Sequence, residues 1–236
     1  MINIDTVYQR VLSIANKEQR GYITPQEFNL FANQAQQEIF EQYFYDLNQF
    51  ARVHGNDYVY ADVDDMLEEK LQIFDNVDGS AIINGYSSGV NKTLPNYIYR
   101  VYRVELNGVK CEILKTSDFN DCRQGGPLTK PSDNRPIANI RNNVIRVVGS
   151  GTNFKTPTSI FYFRNPITVS WGYFVIADKA LYDSSNLKTT HFELHPSEET
   201  ELVYKILKLA GVSMQKDDIM KAGQGMEASQ INQEKQ

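Results

Sequence analysis

The stretch NKEQRGYITPQEF, Asn16 to Phe28, has the spacing of a calcium-binding loop. Counted from Asn16, Gly21 falls at position six, Ile23 at eight and Glu27 at twelve, with Phe28 next. Those are the turn glycine, apolar anchor and bidentate carboxylate of an EF-hand. The ligand positions argue against calcium. A hard dication needs carboxylates at one, three and five, and these places hold Asn16, Glu18 and Arg20, so a guanidinium would stand inside the cage and repel the ion. DNVDGS at Asp75 supplies no second loop, because Val77 and Gly79 occupy oxygen-ligand positions. The same letters spell a helix start. Thr24 caps, Pro25 takes the first position, and Glu27 reaches back from the third. Gly21 ends the helix before it.

Other chemical spellings fail in similar ways. HFELH, His191 to His195, lacks the Glu that follows the first His of a zinc-protease helix, and it reads as extended chain. RQGGPL has no Lys-Ser/Thr after its glycines and is a turn rather than a phosphate cradle. No G-x-S-x-G or G-x-G-x-x-G after a strand occurs. Asp62, Asp64 and Asp65 read as a solvated helix N-terminus. Three His and two Cys leave few candidates for a base or nucleophile. Cys111 and Cys122, without a partnering His cluster, make neither a zinc site nor a disulfide framework; they could pair with each other, but the expectation is free, buried or half-buried thiols. The expectation is a non-enzyme with no catalytic residue, no metal and no cofactor.

Charge is the more informative property. The net charge is −5, but it is unevenly spread. Residues 1–75 sum to −8, residues 76–94 to zero, residues 95–175 to +6 and residues 176–236 to −3. An acidic–basic–acidic chain implies complementary contact between copies or a basic surface for a polyanion. Arg100, Arg135, Arg141 and Arg146 are the candidate basic patch, with Arg103, Arg164 and nearby Tyr and Phe. No K/R-G-F-G-F string of an RNA-reading sheet accompanies them.

The 236 residues, 41% hydrophobic and 11% aromatic, are enough for one large or two small domains with a real core. Residues 5–19 carry a helical stripe of Val7, Val11, Leu12, Ile14 and Ala15. A second helix opens at Pro25 and runs to about Phe50 with Phe28, Phe31, Ala32, Ala35, Ile39, Tyr43 and Leu47 as its stripe. Phe40, Phe44, Tyr45 and Phe50 lie partly off that stripe and call for further partners. A third helix covers Asp62–Phe74. Residues 76–94 read as a Gly/Ser/Asn linker.

The period then changes to two. YIYRVYRVELNGVKCEIL is a hairpin turning at Asn107-Gly108, setting Glu105 opposite Lys110 and Arg103 opposite Glu112. A second hairpin turns at Asn142-Asn143, setting Ile140 opposite Ile145 and Ala138 opposite Val147. SIFYFRN and ITVSWGYFVI are further strands, and SDFNDCRQGGPLTKPSDNRP is a long polar loop. LHPSEETELVYKILKLAG is a helix with Ser197 as its cap, Leu202, Ile206 and Leu209 as its stripe and Gly211 as its stop. The polar C-terminal segment should be disordered in an isolated chain, so Ile219, Met220, Met226 and Ile231 are candidate partner-binding residues. The expected fold is α+β: a helical bundle from the N- and C-terminal segments with an inserted, mostly antiparallel β-rich domain. The expected division is 1–75 helices, 76–94 linker, 95–190 β-rich domain and 191–236 C-terminal helices and tail, the two helical ends sharing one core. Asp5 and Arg10 interrupt any secretory leader, and no apolar stretch approaches a membrane helix.

The segments MINIDTVYQRVLSIANKEQRGYITPQEFNLFANQAQQEIFEQYFYDLNQF and FELHPSEETELVYKILKLAGV, with DDIMKAGQGMEA, resemble small virion proteins of tailed bacteriophages. The likeness is to the neck or head–tail connector proteins of short-tailed and crAss-like phages. The resemblance implies an adaptor without catalysis, made in the host cytoplasm and resident in the virion. It implies a homo-oligomeric ring, commonly of twelve copies, that meets the portal protein and other neck or tail proteins. DNA would pass through the channel without sequence-specific binding, and no membrane is involved. The alternative is a nucleic-acid-binding accessory protein that uses the basic β-rich region.

Overall fold

The computed structural model describes residues 1–17, 23–50, 58–85, 90–149, 154–177, 179–185, 188–213, 221 and 223–229. In chain order the elements are α1 (Ile4–Lys17), α2 (Pro25–Phe50), α3 (Tyr58–Gln72), β1 (Asp75–Gly85), β2 (Val90–Thr93), β3 (Ile98–Leu106), β4 (Val109–Lys110), β5 (Glu112–Ile113), α4 (Thr116–Gln124), β6 (Ile137–Arg141), β7 (Val144–Val148), β8 (Phe154–Arg164), β9 (Tyr173–Ile176), β10 (Lys179–Tyr182) and α5 (Glu199–Ser213). The fold is α+β, with helical terminal segments flanking a β-rich middle. Two compact units result: Met1–Ile73 with Pro166–Gln236, and Phe74–Asn165.

The helical unit is assembled around α2. Its 26 residues span about 39 Å. Phe28, Ala32, Ala35, Ile39, Phe40, Tyr43 and Phe44 are buried, so Phe40 and Phe44 find their partners inside the unit while Tyr45 stays exposed. α5 lies against both α1 and α2, and α3 against α2. Ile4, Val7, Tyr8, Val11 and Ala15 of α1, Leu67 and Leu71 of α3, and Leu202, Val203, Ile206, Leu207 and Ala210 of α5 complete the core. The C-terminal helix begins differently from expectation. A 3₁₀ turn at Pro196–Glu198 precedes it, and the His195 side chain, not Ser197, is the cap, accepting the Ser197 N–H at 3.3 Å. Gly211 is buried inside α5 rather than ending it.

A second face of α2 behaves like the edge of a sheet. Asn29, Asn33 and Gln36 lie one turn apart. Asn33 Oδ1 accepts the Val169 N–H at 2.8 Å and its Nδ2 donates to the Val169 carbonyl at 2.9 Å. Asn29 does the same for Trp171, accepting at 2.7 Å and donating at 3.4 Å. Gln36 donates to the Ile167 carbonyl at 2.9 Å and accepts the Glu193 N–H at 3.2 Å, while Glu193 accepts the Ile167 N–H at 2.9 Å. Three or four helical residues advance about 5–6 Å and two extended residues about 6.6 Å, so amides at this spacing track alternate residues of a strand. The opposite edge of the segment pairs at Ser170 with Thr190. Residues 167–171 are thus extended, but only 173–176 of the expected strand joins a sheet, a two-stranded one with β10.

The β unit has two four-stranded sheets, ordered β1-β8-β3-β4 and β2-β7-β6-β5, mostly antiparallel. Their inner faces share one core of Leu94, Val104, Leu106, Cys111, Ala138, Ile145, Val147, Ile160 and Tyr162. Both hairpin turns form as read. Asn107 and Gly108 have φ of 51° and 78°, Asn142 and Asn143 of 49° and 58°, the positive values a two-residue type I′ turn requires. Glu105 pairs with Lys110, Ile140 with Ile145 and Ala138 with Val147. Arg103 does not face Glu112. At Cys111 the chain leaves the first sheet, burying the thiol at the corner, and β5 joins the second sheet parallel to β6. Glu112 meets Arg135 instead, at 3.5 Å.

Three further expectations are corrected. Most of the expected 76–94 linker is strand: its residues up to Gly85 lie in β1, which pairs with β8, and Val90–Thr93 form β2, which pairs with β7, while residues 86–89 lie outside the described residues. Gly79 falls at an irregularity in the register between Asp78 and Ala81 rather than at a break. The polar stretch after Leu114 begins with α4, which seals Phe119 against Ile137 and Val148. The β unit therefore runs from 74 to 165, not 95 to 190, and residues 166–190 belong with the helices.

Candidate interaction surface

The sequence of β3, IYRVYRVEL, repeats every three residues, whereas a flat strand repeats every two. Two bulges absorb the difference. Arg100 pairs with Phe163, Val101 with Tyr162 and Arg103 with Phe161, and the register slips at Ile98/Arg100 and again at Val101/Arg103. Each slip puts two consecutive residues on one face. Ile98, Val101, Val104 and Leu106 therefore turn to the core, and Tyr99-Arg100 and Tyr102-Arg103 turn outward as pairs. One strand thereby presents two tyrosines and two arginines within five residues.

Neighbouring strands fix this face. Tyr102 Oη donates toward both carboxylate oxygens of Asp75, each at 3.0 Å. Its ring lies 5.0 Å from Phe163 and 6.3 Å from Phe161. The Arg103 guanidinium sits 5.4 Å over the Phe161 ring and ion-pairs with Glu105. Burial, then the hydrogen bond to Asp75, pushes the Tyr102 phenol up to about 12. Tyr99 and Tyr102 remain 41% and 40% exposed, and Val77 on β1 54%. Arg100 is exposed and has no hydrogen bond or ion pair among the described residues. Such a face offers ring surface and, among the described residues, one uncommitted guanidinium.

The four arginines read as one patch are not together. Arg100 is on the outer face of the first sheet. Arg141 and Arg146 are on the outer face of the second, where Arg146 pairs in register with Asn139 and Asn91 and Arg141 with Val144. Arg135 stands at the turn before β6 with Glu112. Of the tail residues, Met226 is half-buried, and Ile219, Met220 and Ile231 lie outside the described residues.

What the tail does show is charge chemistry that its composition hid. Residues 223–229 are helical, and Glu227 bonds Lys205 at 3.0 Å and Lys208 at 2.9 Å. Gly223 lies so close to the Lys208 backbone that a Cβ there would come within 3.1 Å of its nitrogen. Lys205 also meets Glu201 at 3.3 Å, and Lys70 meets Glu198 at 2.6 Å. Burial pushes Glu201 up to about 7, against the pull of Lys205 and with the push of Glu198. Burial opposes the Lys205 ammonium, yet Glu227 and Glu201 outweigh it and raise its pKa. For Glu227 burial is likewise outweighed, by Lys208 and Lys205, and its pKa falls. A buried network of this kind tethers the tail segment to α5.

The other chemical candidates have structural employment. Thr24 Oγ1 accepts the Glu27 N–H at 3.3 Å, and Glu27 Oε2 accepts the Thr24 N–H at 3.0 Å and its hydroxyl at 2.8 Å, a closed capping box. Those bonds lower the Glu27 pKa, the backbone one most. Residues 18–22 of the calcium-like stretch, including Gly21, are outside the described residues. His191 Nδ1 accepts the Ile4 N–H at 3.3 Å. Cys111 and Cys122 are free thiols, and burial pushes Cys111 up to about 12. The side chains of Asp62 and Asp64 are likewise outside the described set, and Asp65 is exposed. Among the described residues no cluster of His, Cys, Asp and Glu is placed to hold a metal. No described helix is long and apolar enough to cross a membrane. No protein-family model matches the chain, and no curated protein matches its sequence.

Proposed function

We propose that the protein is a non-enzymatic structural component of a tailed-phage virion, one copy of an oligomeric ring at the portal or neck that joins head to tail around the DNA channel. The observation that supports it most is the packing of both chain ends into one helical unit with a β-sandwich inserted between them, the layout that the resemblance of the terminal segments implies. Imaging of native particles carrying a tagged copy tests the reading. Density for the tag at the head–tail junction, repeated around the axis, is the expected result. Its absence from purified particles, or its presence in the capsid shell, would overturn the reading.

The runner-up is a nucleic-acid-binding accessory protein. It draws on the net +5 of residues 74–165, against −10 for the remainder, and on the aromatic–arginine face of β3. Counterion release makes such binding fall steeply between low and moderate salt. Affinity for a labelled oligonucleotide that is high at low salt and collapses by about 200 mM favours this reading; no affinity at either salt excludes it.

A further inference from the structure

Two surfaces of the chain have opposite, unsatisfied charge. On β3, Arg100 is exposed and has no partner among the described residues, while adjacent Tyr102 and Arg103 are held by Asp75, Phe161 and Glu105. On α3, Leu67 and Leu71 face the core, which turns Asp65, Glu68 and Glu69 to solvent. None of these three carboxylates has an ion pair or hydrogen bond among the described residues, and Met66 beside them is 58% exposed. They stand at i, i+3 and i+4, one patch of a helix surface.

We propose that the Tyr99–Arg100–Tyr102–Arg103 face of one copy docks on the Asp65–Met66–Glu68–Glu69 patch of α3 in a second copy. The inference deepens the ring reading and rests on it. The two surfaces differ, so the contact is head-to-tail, and every copy offers both halves; repetition closes a ring or extends a filament. Tyr and Arg are the residue types that anchor interfaces, because rigid rings and a planar guanidinium lose little freedom on docking. The bulges matter here, since they put both rings and both guanidinia on one side. Met66 supplies apolar contact for the tyrosines, and the carboxylates face Arg100. Asp75 and Glu105 lie within the β3 face and weigh against a phosphate backbone as its occupant, whereas a protein surface can place them at its polar rim.

The test is sedimentation velocity of the full chain at low salt, from about 1 to about 100 µM, where a small polar interface dissociates. Three samples are compared with wild type: Arg100→Glu, the pair Glu68→Arg with Glu69→Arg, and their equimolar mixture. Neither variant removes an interaction among the described residues, so far-UV circular dichroism and melting should match wild type. Each variant alone should need at least about tenfold higher concentration to associate. The mixture should recover association, because one partner keeps Arg100 and the other keeps the acidic α3. Wild type that stays monomeric throughout would overturn both this contact and the ring reading. Association unchanged in both variants would overturn the contact and leave the ring reading standing. Variants that stay apart when mixed would overturn the pairing of these two surfaces. A fluorescein-labelled oligothymidylate bound by wild type and lost in Arg100→Glu, with self-association unaltered, would give the face to nucleic acid and overturn the proposal as well.

Discussion

Asn33 offers the sharpest test of how the helical unit is held. Its amide serves both backbone groups of Val169, accepting the N–H at 2.8 Å and donating to the carbonyl at 2.9 Å. Val169 is buried. Asn33→Ala would leave one N–H and one C=O without their partner, each at about 1–3 kcal/mol when water cannot replace it. Asn33 is only half-buried, so water reaches part of the gap, and the expected loss is about 3 kcal/mol rather than the full sum. Asn33→Asp keeps the acceptor and loses the donor. It also sets a carboxylate against the Val169 and Asn29 carbonyls and should cost at least as much at neutral pH. Gln34→Ala is the control: Gln34 is exposed and its amide reaches only Glu38, at 3.0 Å, which predicts less than about 0.5 kcal/mol. Urea unfolding followed by tryptophan emission is the assay. Trp171, the sole tryptophan, is two residues from Val169, and its indole donates to Asp5 at 2.9 Å. A loss for Asn33→Ala no larger than for Gln34→Ala would refute the idea that α2 acts as a strand edge.

Thr24→Ala should cost about 1 kcal/mol in urea unfolding through the lost cap, and titration calorimetry should give no calcium heat at micromolar concentration. Glu201, pushed up to about 7 when folded, holds its proton at pH values where the unfolded chain has released it. Stability should therefore fall as pH rises from about 4.5 to about 7, on the order of 2–3 kcal/mol, and urea midpoints of Glu201→Gln should be flatter over that window. Gly172→Ala would put a Cβ 2.6 Å from Thr189 Oγ1 and 2.9 Å from the Lys188 carbonyl carbon; about 2–3 kcal/mol of overpacking should appear as a lower thermal midpoint. Deleting residues 222–236 removes Glu227 from Lys205 and Lys208, so it should cost about 2 kcal/mol of stability with Glu201 still at Lys205 and lower the melting temperature, rather than leave it unchanged as the polar composition of the tail suggests.

The features legible in the sequence were those set by a few adjacent residues. Thr24-Pro25-Gln26-Glu27 fixes a helix start, and Asn107-Gly108 and Asn142-Asn143 fix two turns and, through them, two registers. Features set by distant partners were not. β1 is interrupted by Gly79-Ser80 and carries Asp and Asn beside its few apolar residues, and it is a strand because β8, some eighty residues later, offers an edge. α4 has little beyond Phe119 and Cys122 to reveal an apolar face. The helix–strand amide contact reads as ordinary polar helix surface until residues 167–171 are placed against it. The β3 face did have a local sign, the triplet YRVYRV, but a two-residue period was assumed across it. The arginines were recognised; their separation onto two sheets follows from Cys111 sending the chain across the sandwich.

The ends of the β unit meet. The Arg164 N–H donates to the Phe74 carbonyl at 3.0 Å, and Asp75 stands opposite Phe163. A tensile load carried along the polypeptide would reach this antiparallel pair end-on and would have to part its hydrogen bonds one at a time, starting at Phe74 and Arg164. It would not shear the whole of β1 past β8. The sandwich is therefore mechanically in parallel with its own closing clasp: while the Phe74–Arg164 end holds, tension passes across the clasp and the strands beyond it stay slack. The same closure gives the unit the topology of a cassette, since a loop of 92 residues (Phe74–Asn165) begins and ends at one place on the chain's path.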